Sequence, residues 1–210
     1  MLLTQKLEKV IEGKKLLIFD FDGTIADTTK FHEIAFCETL SRFGLTVSYP
    51  RIAGMRTTEA LAECFKLANL PIPSSEILLE LVYKKQEVVR KLINKNLGPM
   101  PLVDKFLRWA YSRYRLALVT SGSKTTVQTA LKKLGYEGLF TTQLYAEDVQ
   151  RGKPDPEGFK LALKIQCCVP SQALIFEDSV MGFQAANEAK IPYIDITDRS
   201  YGLHLPGRAS

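Results

Sequence analysis

Four short apolar runs limit what this 210-residue chain can fold into: Leu16-Leu17-Ile18-Phe19, Leu116 to Val119, Ala173 to Phe176, and Tyr193 to Ile196. Apolar residues at consecutive positions suit strands covered on both faces. A weaker fifth strand is expected over Thr141 to Tyr145. Helical patterns separate them, at Leu102 to Arg113, Lys124 to Leu134, Pro156 to Ile165 and Ser179 to Ala189. Strands alternating with helices predict an α/β fold, a Rossmann-like parallel sheet flanked by helices and joined by right-handed crossovers.

One stretch breaks that alternation. Between residues 28 and 97 only helical patterns occur, at His32 to Phe43, Thr57 to Ala68 and Ser75 to Asn96. The Leu70 to Ser75 connector offers Ser74 or Ser75 as a helix N-cap, and Gly98-Pro99-Met100-Pro101 is a stiff return turn. The expected organisation is an α/β core of residues 1–27 and 98–210, with an α-helical cap, residues 28–97, inserted after the first strand.

The polar clusters fall where such a sheet places ligands, beyond the carboxyl ends of its strands. Asp20 and Asp22 follow the first run, Thr120-Ser121-Gly122-Ser123 the second, and Glu177-Asp178 the third; Lys153 lies after the weak strand. Two carboxylates one residue apart repel and need a cation or proton between them. With Glu177 and Asp178 at the same edge, and no His or Cys spacing for a softer metal, the set is a hard, all-oxygen site suited to Mg²⁺. A calcium-loop reading fails, since Phe31 stands where the twelfth-position Glu belongs. Gly23 permits a tight turn, Thr24 and Ser121 offer hydroxyls, and Lys153 supplies positive charge for a phosphate and an attacking carboxylate. A carboxylate nucleophile, metal, hydroxyl and lysine are the parts of phosphoryl transfer through an aspartyl-phosphate.

Composition adds exclusions rather than functions. No apolar run reaches the roughly 18 residues a membrane span needs, and the N-terminus reads as an amphipathic helix with Leu2, Leu3, Leu7, Val10 and Ile11 on one side. Net charge is +5, a bias that favours an anionic small substrate. The densest basic stretch, Lys84, Lys85, Arg90, Lys91 and Lys95, lacks aromatic interleaving and reads as a solvated helix face, not a nucleic-acid surface. Cys37, Cys64, Cys167 and Cys168 form no metal or redox spacing and read as free buried thiols in a cytoplasmic protein. His204 reads as a surface residue of the tail.

The segments Asp20 to Thr24 (DFDGT), Val119 to Ser123 (VTSGS), Arg151 to Pro156 (RGKPDP) and Phe176 to Ala186 (FEDSVMGFQAA) resemble the haloacid dehalogenase superfamily of phosphatases and phosphomutases across nearly the whole chain. The resemblance implies that Asp20 is the nucleophile and a metal ligand. It makes Asp22 a general acid/base that binds the metal through its backbone carbonyl. Ser121 and Lys153 would hold the phosphoryl group, and Asp178 with Glu177 would complete the Mg²⁺ site. Thr24 and Gly122 join the substrate-binding loops. True dehalogenases lack the second aspartate, so Asp22 argues against carbon–halogen hydrolysis. Within the superfamily the chain is most similar to the β-phosphoglucomutase-like group: Thr28 and His32 match its hinge threonine and cap histidine, and Lys85 aligns with a substrate-contacting cap lysine. The mutase's substrate-phosphate arginine falls opposite Thr57, one place after Arg56, and one residue swings a helical side chain by about 100°. Lys190 stands where relatives have Gly.

Three functions follow from that resemblance: a phosphatase acting on a small phosphorylated metabolite such as a sugar phosphate, a phosphomutase, and a catalytically silent phosphate-binding protein. The phosphatase is the leading expectation, because Arg56 is displaced from the mutase position. A monomer or weak dimer, binding neither nucleic acid nor membrane, is expected.

Overall fold

The computed structural model describes residues 4–203. Among these, five strands form one fully parallel sheet: β1 (Leu16–Phe19), β2 (Arg115–Val119), β3 (Thr142–Leu144), β4 (Ala173–Glu177) and β5 (Tyr193–Asp195). Their order is β3-β2-β1-β4-β5, so the chain winds outward from β1 in both directions. In register, Phe19 pairs with Leu118 on one side and Phe176 on the other. All four residues of β1 are buried, as expected for a strand between two neighbours and two helical layers.

Alternate residues of β1 feed two cores. Leu17 and Phe19 face Phe106 and Leu107 of α5 (Pro101–Tyr111), Val127 and Leu131 of α6 (Lys124–Leu134), and Leu7 and Ile11 of α1 (Gln5–Ile11). Leu16 and Ile18 face Phe159 and Leu163 of α7 (Glu157–Ile165) and Ala185 and Ala186 of α8 (Val180–Glu188). Phe19 stacks on Phe176 at 4.6 Å and meets Phe106 and Phe140 edge-on at 6.2 Å. Thr4 caps α1, its hydroxyl accepting from the Leu7 amide at 3.2 Å. Leu2, Leu3 and His204 lie outside the described residues.

The helical insertion comprises α2 (Thr29–Leu40), α3 (Thr57–Leu67) and α4 (Ser75–Asn96). Ser74 caps α4 through the Ile77 amide. Phe36, Leu40, Leu61, Phe65, Leu81 and Val82 form the insertion's own small core. The second half of α4 does not belong to it: Val89 and Ile93 pack into the main core with Val127 and Leu131 of α6. The insertion is therefore rooted in the main core at one end.

Three sequence expectations need correction. Cys64 is buried, but Cys37 and Cys167 are exposed and Cys168 is half-buried, its sulfur accepting from Arg115 Nη2 at 2.9 Å. Cys37 lies on the outer face of α2, and Cys167 sits in a turn after α7 at φ +49°. The basic face of α4 is also not uniformly solvated. Lys84, Lys91 and Lys95 are exposed, but Lys85 is buried, because Leu81, Lys85, Val89 and Ile93 recur every four residues along one stripe. The α2 helix begins three residues before His32 and gives way to a 3₁₀ turn over Ser41–Phe43. At Lys190, φ is +58°, which explains why Gly suits that position.

Phe106 is buried and bridges Phe19, Phe176 and Trp109. Phe106→Ala is expected to cost about 3–5 kcal/mol of stability, measured by urea unfolding, with the helical signal retained in the absence of denaturant.

Candidate active site

The sheet's winding reverses at β1, and the crevice beyond its carboxyl end is where such folds bind ligands. Asp20 occupies that end. Its amide donates to the Phe176 carbonyl of β4, which continues the β1–β4 pairing by one residue and fixes the backbone. Asp20 is 6% exposed, and Lys153 Nζ donates to its Oδ1 at 2.6 Å and to Glu177 Oε1 at 2.6 Å. Burial alone disfavours the lysine's charge, but Asp20 and Glu177 outweigh it and hold Lys153 above its ordinary range. Burial, reinforced by the neighbouring carboxylates, pushes Asp20 well up against the opposing pull of Lys153.

Glu177, fully buried, is bound on every side. Its Oε2 accepts from the Asp178 amide at 2.6 Å, the Ser179 amide at 2.9 Å and the Ser179 hydroxyl at 3.2 Å. The same Ser179 hydroxyl caps α8 by accepting from the Gly182 amide at 3.1 Å. Gly182 packs against the carboxylate so closely that an added Cβ would lie 1.8 Å from Glu177 Oε1. Asp178 is held from the other side, accepting from the Thr24 hydroxyl at 3.3 Å. Oxygen atoms of Asp20, Glu177 and Asp178 lie within 4.8 Å of one another. With only carboxylate donors, and Lys153 bonded to Asp20 and Glu177, the cluster suits a hard divalent cation.

Asp22 faces the insertion. Its Oδ1 accepts from the Thr28 hydroxyl at 2.6 Å and lies 3.1 Å from His32 Nε2. Thr28 is the N-cap residue of α2 but spends its hydroxyl on Asp22, leaving the helix without a side-chain cap. Lys85 Nζ sits 2.8 Å from His32 Nδ1 and 3.5 Å from the Thr57 hydroxyl, above the Phe36 ring. An ammonium can only donate, so Nδ1 carries the lone pair and Nε2 carries the proton, close to Asp22 but not aligned with it as a hydrogen bond. Burial opposes ionisation of Asp22, but His32, Thr28 and Lys85 outweigh it and bring the carboxyl down to about 2. Burial lowers Lys85 to about 8 and also lowers His32.

A cavity of about 300 Å³ joins these groups, lined by Asp20, Asp22, Ser121, Gly122 and Asp178 below and His32, Thr57 and Lys85 above. An apolar stretch of its wall comes from Phe36, Tyr49, Pro50, Ile52, Ala53 and Met55. Gly122 fits because a Cβ would lie 2.7 Å from Val127. Among the sequence-derived candidates, Thr24, Thr28, Lys153 and Glu177 are not part of the wall; the two threonines each hold an aspartate from behind, and Lys153 and Glu177 bond beneath Asp20. Arg56 does not line this cavity either. Its guanidinium donates to the carbonyls of Val149 and, at 2.8 Å, Gln150. Sequence reasoning missed Ser179 and Gly182 as supports of Glu177, although a serine N-cap followed three residues on by glycine was readable. It also missed Tyr49 and Ile52, which come from an irregular segment without periodicity.

The haloacid dehalogenase-like hydrolase family model matches residues 17–196. The chain belongs to that family. It is 30% identical over 183 residues to a fructose-1-phosphate phosphatase of Escherichia coli, covering 86% of this chain and 95% of that one. It is 29% identical to a phosphorylated carbohydrates phosphatase of Thermotoga maritima, over 89% and 84% of the two chains. A β-phosphoglucomutase from Clostridium difficile superposes with a TM-score of 0.80 at 22% identity, over 91% and 88% of the two chains. That last likeness is one of fold.

Gly182→Ala is expected to displace Glu177 and abolish most activity, with Gly182→Ser no better; circular dichroism and a phosphate-release assay check both. Lys85 gives up its proton near pH 8 in the folded chain, against an ordinary value of 10.5. Between those values the unfolded state binds more protons, so stability rises with pH. Lys85→Met is expected to remove that rise, read from urea midpoints across pH 7.5 to 10.5.

Proposed function

We propose that this phosphoric monoester hydrolase is a Mg²⁺-dependent phosphatase of a small phosphomonoester, a sugar phosphate by preference, acting through an aspartyl-phosphate on Asp20. The observation that carries the reading is the pairing of buried Asp20 with Lys153 at 2.6 Å, beneath a cavity whose upper wall has one buried ammonium. Asp20 and Asp178, with the Asp22 backbone carbonyl, would hold the cation, while Glu177 orients Lys153 and the Asp178 loop. When bound, Mg²⁺ supplies charge neutralisation between the carboxylates and the phosphoryl oxygens.

The steps belong to this chain's own side chains. An Asp20 oxygen attacks phosphorus, and the P–O bond to the leaving alcohol breaks. Ser121 and Lys153 hold the phosphoryl oxygens in line. Asp22 gives its proton to the departing alkoxide. A phosphate brought beside Asp22 opposes its ionisation by like charge, so the acid form becomes accessible with substrate present. Asp22, now a carboxylate, takes a proton from water, which attacks the aspartyl-phosphate, releasing phosphate and restoring Asp20.

The same cavity favours hydrolysis over mutase chemistry. A mutase must grip a second phosphate, and Arg56, the arginine nearest the mutase position, is committed to Val149 and Gln150. The phosphatases among the relatives support the same choice.

The test is to incubate the protein and Mg²⁺ with β-glucose 1-phosphate, fructose 1-phosphate and a wider monoester panel, following free phosphate and glucose 6-phosphate separately. Phosphate release is expected; isomerisation without release overturns the reading. Asp20→Asn is expected to abolish turnover while leaving the fold unchanged by circular dichroism, and wild-type-like turnover in that variant would remove Asp20 from the nucleophile role.

A further inference from the structure

We infer that Arg56 is a positioning residue that latches the helical insertion onto the loop bearing Lys153, and that it acts on catalysis without touching substrate. The inference rests on the phosphatase reading for its kinetic part and on geometry alone for the rest. Arg56 immediately precedes α3, at its N-cap position, with an extended backbone (φ −62°, ψ 146°) that sends the side chain off the helix. Nη1 donates to the Gln150 carbonyl at 2.8 Å and Nη2 to the Val149 carbonyl. The stem lies along Gly152: a Cβ there would sit 2.8 Å from Arg56 Cγ and 2.9 Å from Nε. One residue further on is Lys153, whose ammonium joins Asp20 to Glu177.

The loop is gripped from both sides. From the core, Glu157 accepts the Gln150 amide at 2.7 Å and the Arg151 amide at 3.1 Å. From the insertion, Arg56 takes the carbonyls. The peptide groups of this segment are thus bound at their N–H ends by the core and at their C=O ends by the insertion. A planar guanidinium can span two consecutive carbonyls, which a lysine ammonium cannot do in the same fixed geometry. Moving α3 away from the core must break both bonds at once, and so unclamps the segment leading into Lys153. At the opposite rim Gly54 packs on Ser179, where a Cβ would meet the hydroxyl at 2.5 Å.

The latch is built to release. Arg56 Nε is buried without a hydrogen-bond partner, so part of the guanidinium's lost hydration is uncompensated in the closed arrangement. A lid that must reopen for product release is served by a contact of this limited strength.

The test uses Arg56→Ala, Arg56→Lys and Gly152→Ala in the full chain, with the double variant Arg56→Ala/Gly152→Ala. Gly152→Ala dislodges the arginine without removing its charge. The first readout needs no activity: amide hydrogen exchange over residues 149–155 in the resting protein. Faster exchange is expected in both alanine variants, with thermal unfolding little changed, and unchanged exchange in Arg56→Ala overturns the latch. The second readout is kinetic. Loss of the latch is expected to lower kcat/KM on the order of tenfold for every substrate alike, including p-nitrophenyl phosphate, which has no second anionic group. A loss confined to KM for substrates with a further phosphate would make Arg56 a substrate contact and sink the proposal. Arg56→Lys is expected to recover little. The double variant is expected to be no worse than the poorer single one, because both act through one contact; additive losses count against the latch. Should the wild-type chain release phosphate from no monoester, the phosphatase reading fails, and the exchange experiment still decides the latch.

Discussion

The ammonium of Lys153, set 2.6 Å from both Asp20 and Glu177, is the interaction on which the rest of the site depends. Two buried carboxylates from adjacent strands would otherwise face each other in a poorly solvated crevice, at a cost of several kcal/mol. Everything around them serves that triad. The Asp20 backbone is pinned by strand pairing to Phe176, Glu177 is saturated by the start of α8, and Gly182 makes room for it. Lys153 arrives on a loop held by Glu157 and by Arg56. A rigid sheet edge thus supplies the acidic half of the site, and a loop tied down at several points supplies the basic half.

A second chain of contacts governs Asp22. Thr28, His32 and Lys85 line up behind it, and burial weakens the charge of both nitrogen bases. The consequence is a carboxylate kept ionised by partners that come from the insertion and its entry point. Asp20 is governed by the core and Asp22 by the insertion. Two aspartates one residue apart therefore have different electrostatic settings, as acid/base pairs require.

The fold was readable in the sequence because buried parallel strands leave uninterrupted apolar runs; all four strong runs, and the weak one at Thr142–Leu144, became strands. The four polar segments at strand ends were readable for the same reason, since topology alone delivers them to one crevice. What resisted reading depended on rotation about a helix axis or on irregular backbone. By charge pattern Lys85 was one of five solvated bases, and only the family resemblance singled it out, until its place on the Leu81–Val89–Ile93 stripe was fixed. Arg56 has two carbonyl partners that lie more than ninety residues away. Thr24 looked like a substrate hydroxyl, because no sequence pattern separates a residue in front of an aspartate from one behind it. The misjudged cysteines follow from composition, which says what cysteine usually does and not where the turn after α7 ends.

Thr28 carries one more implication. By giving its hydroxyl to Asp22, it leaves the first turn of α2 uncapped, and uncapped first turns are where helices fray. The residues lost in such fraying would be Thr28 itself and, one turn on, His32, the two groups that bond or face Asp22 Oδ1. Loosening of α2 would then release the carboxylate from both at once and return it towards its ordinary acidity. The start of one helix and the protonation of one side chain form a single cooperative unit, so a change in helical order at residues 28 to 32 is also a change in acid–base state.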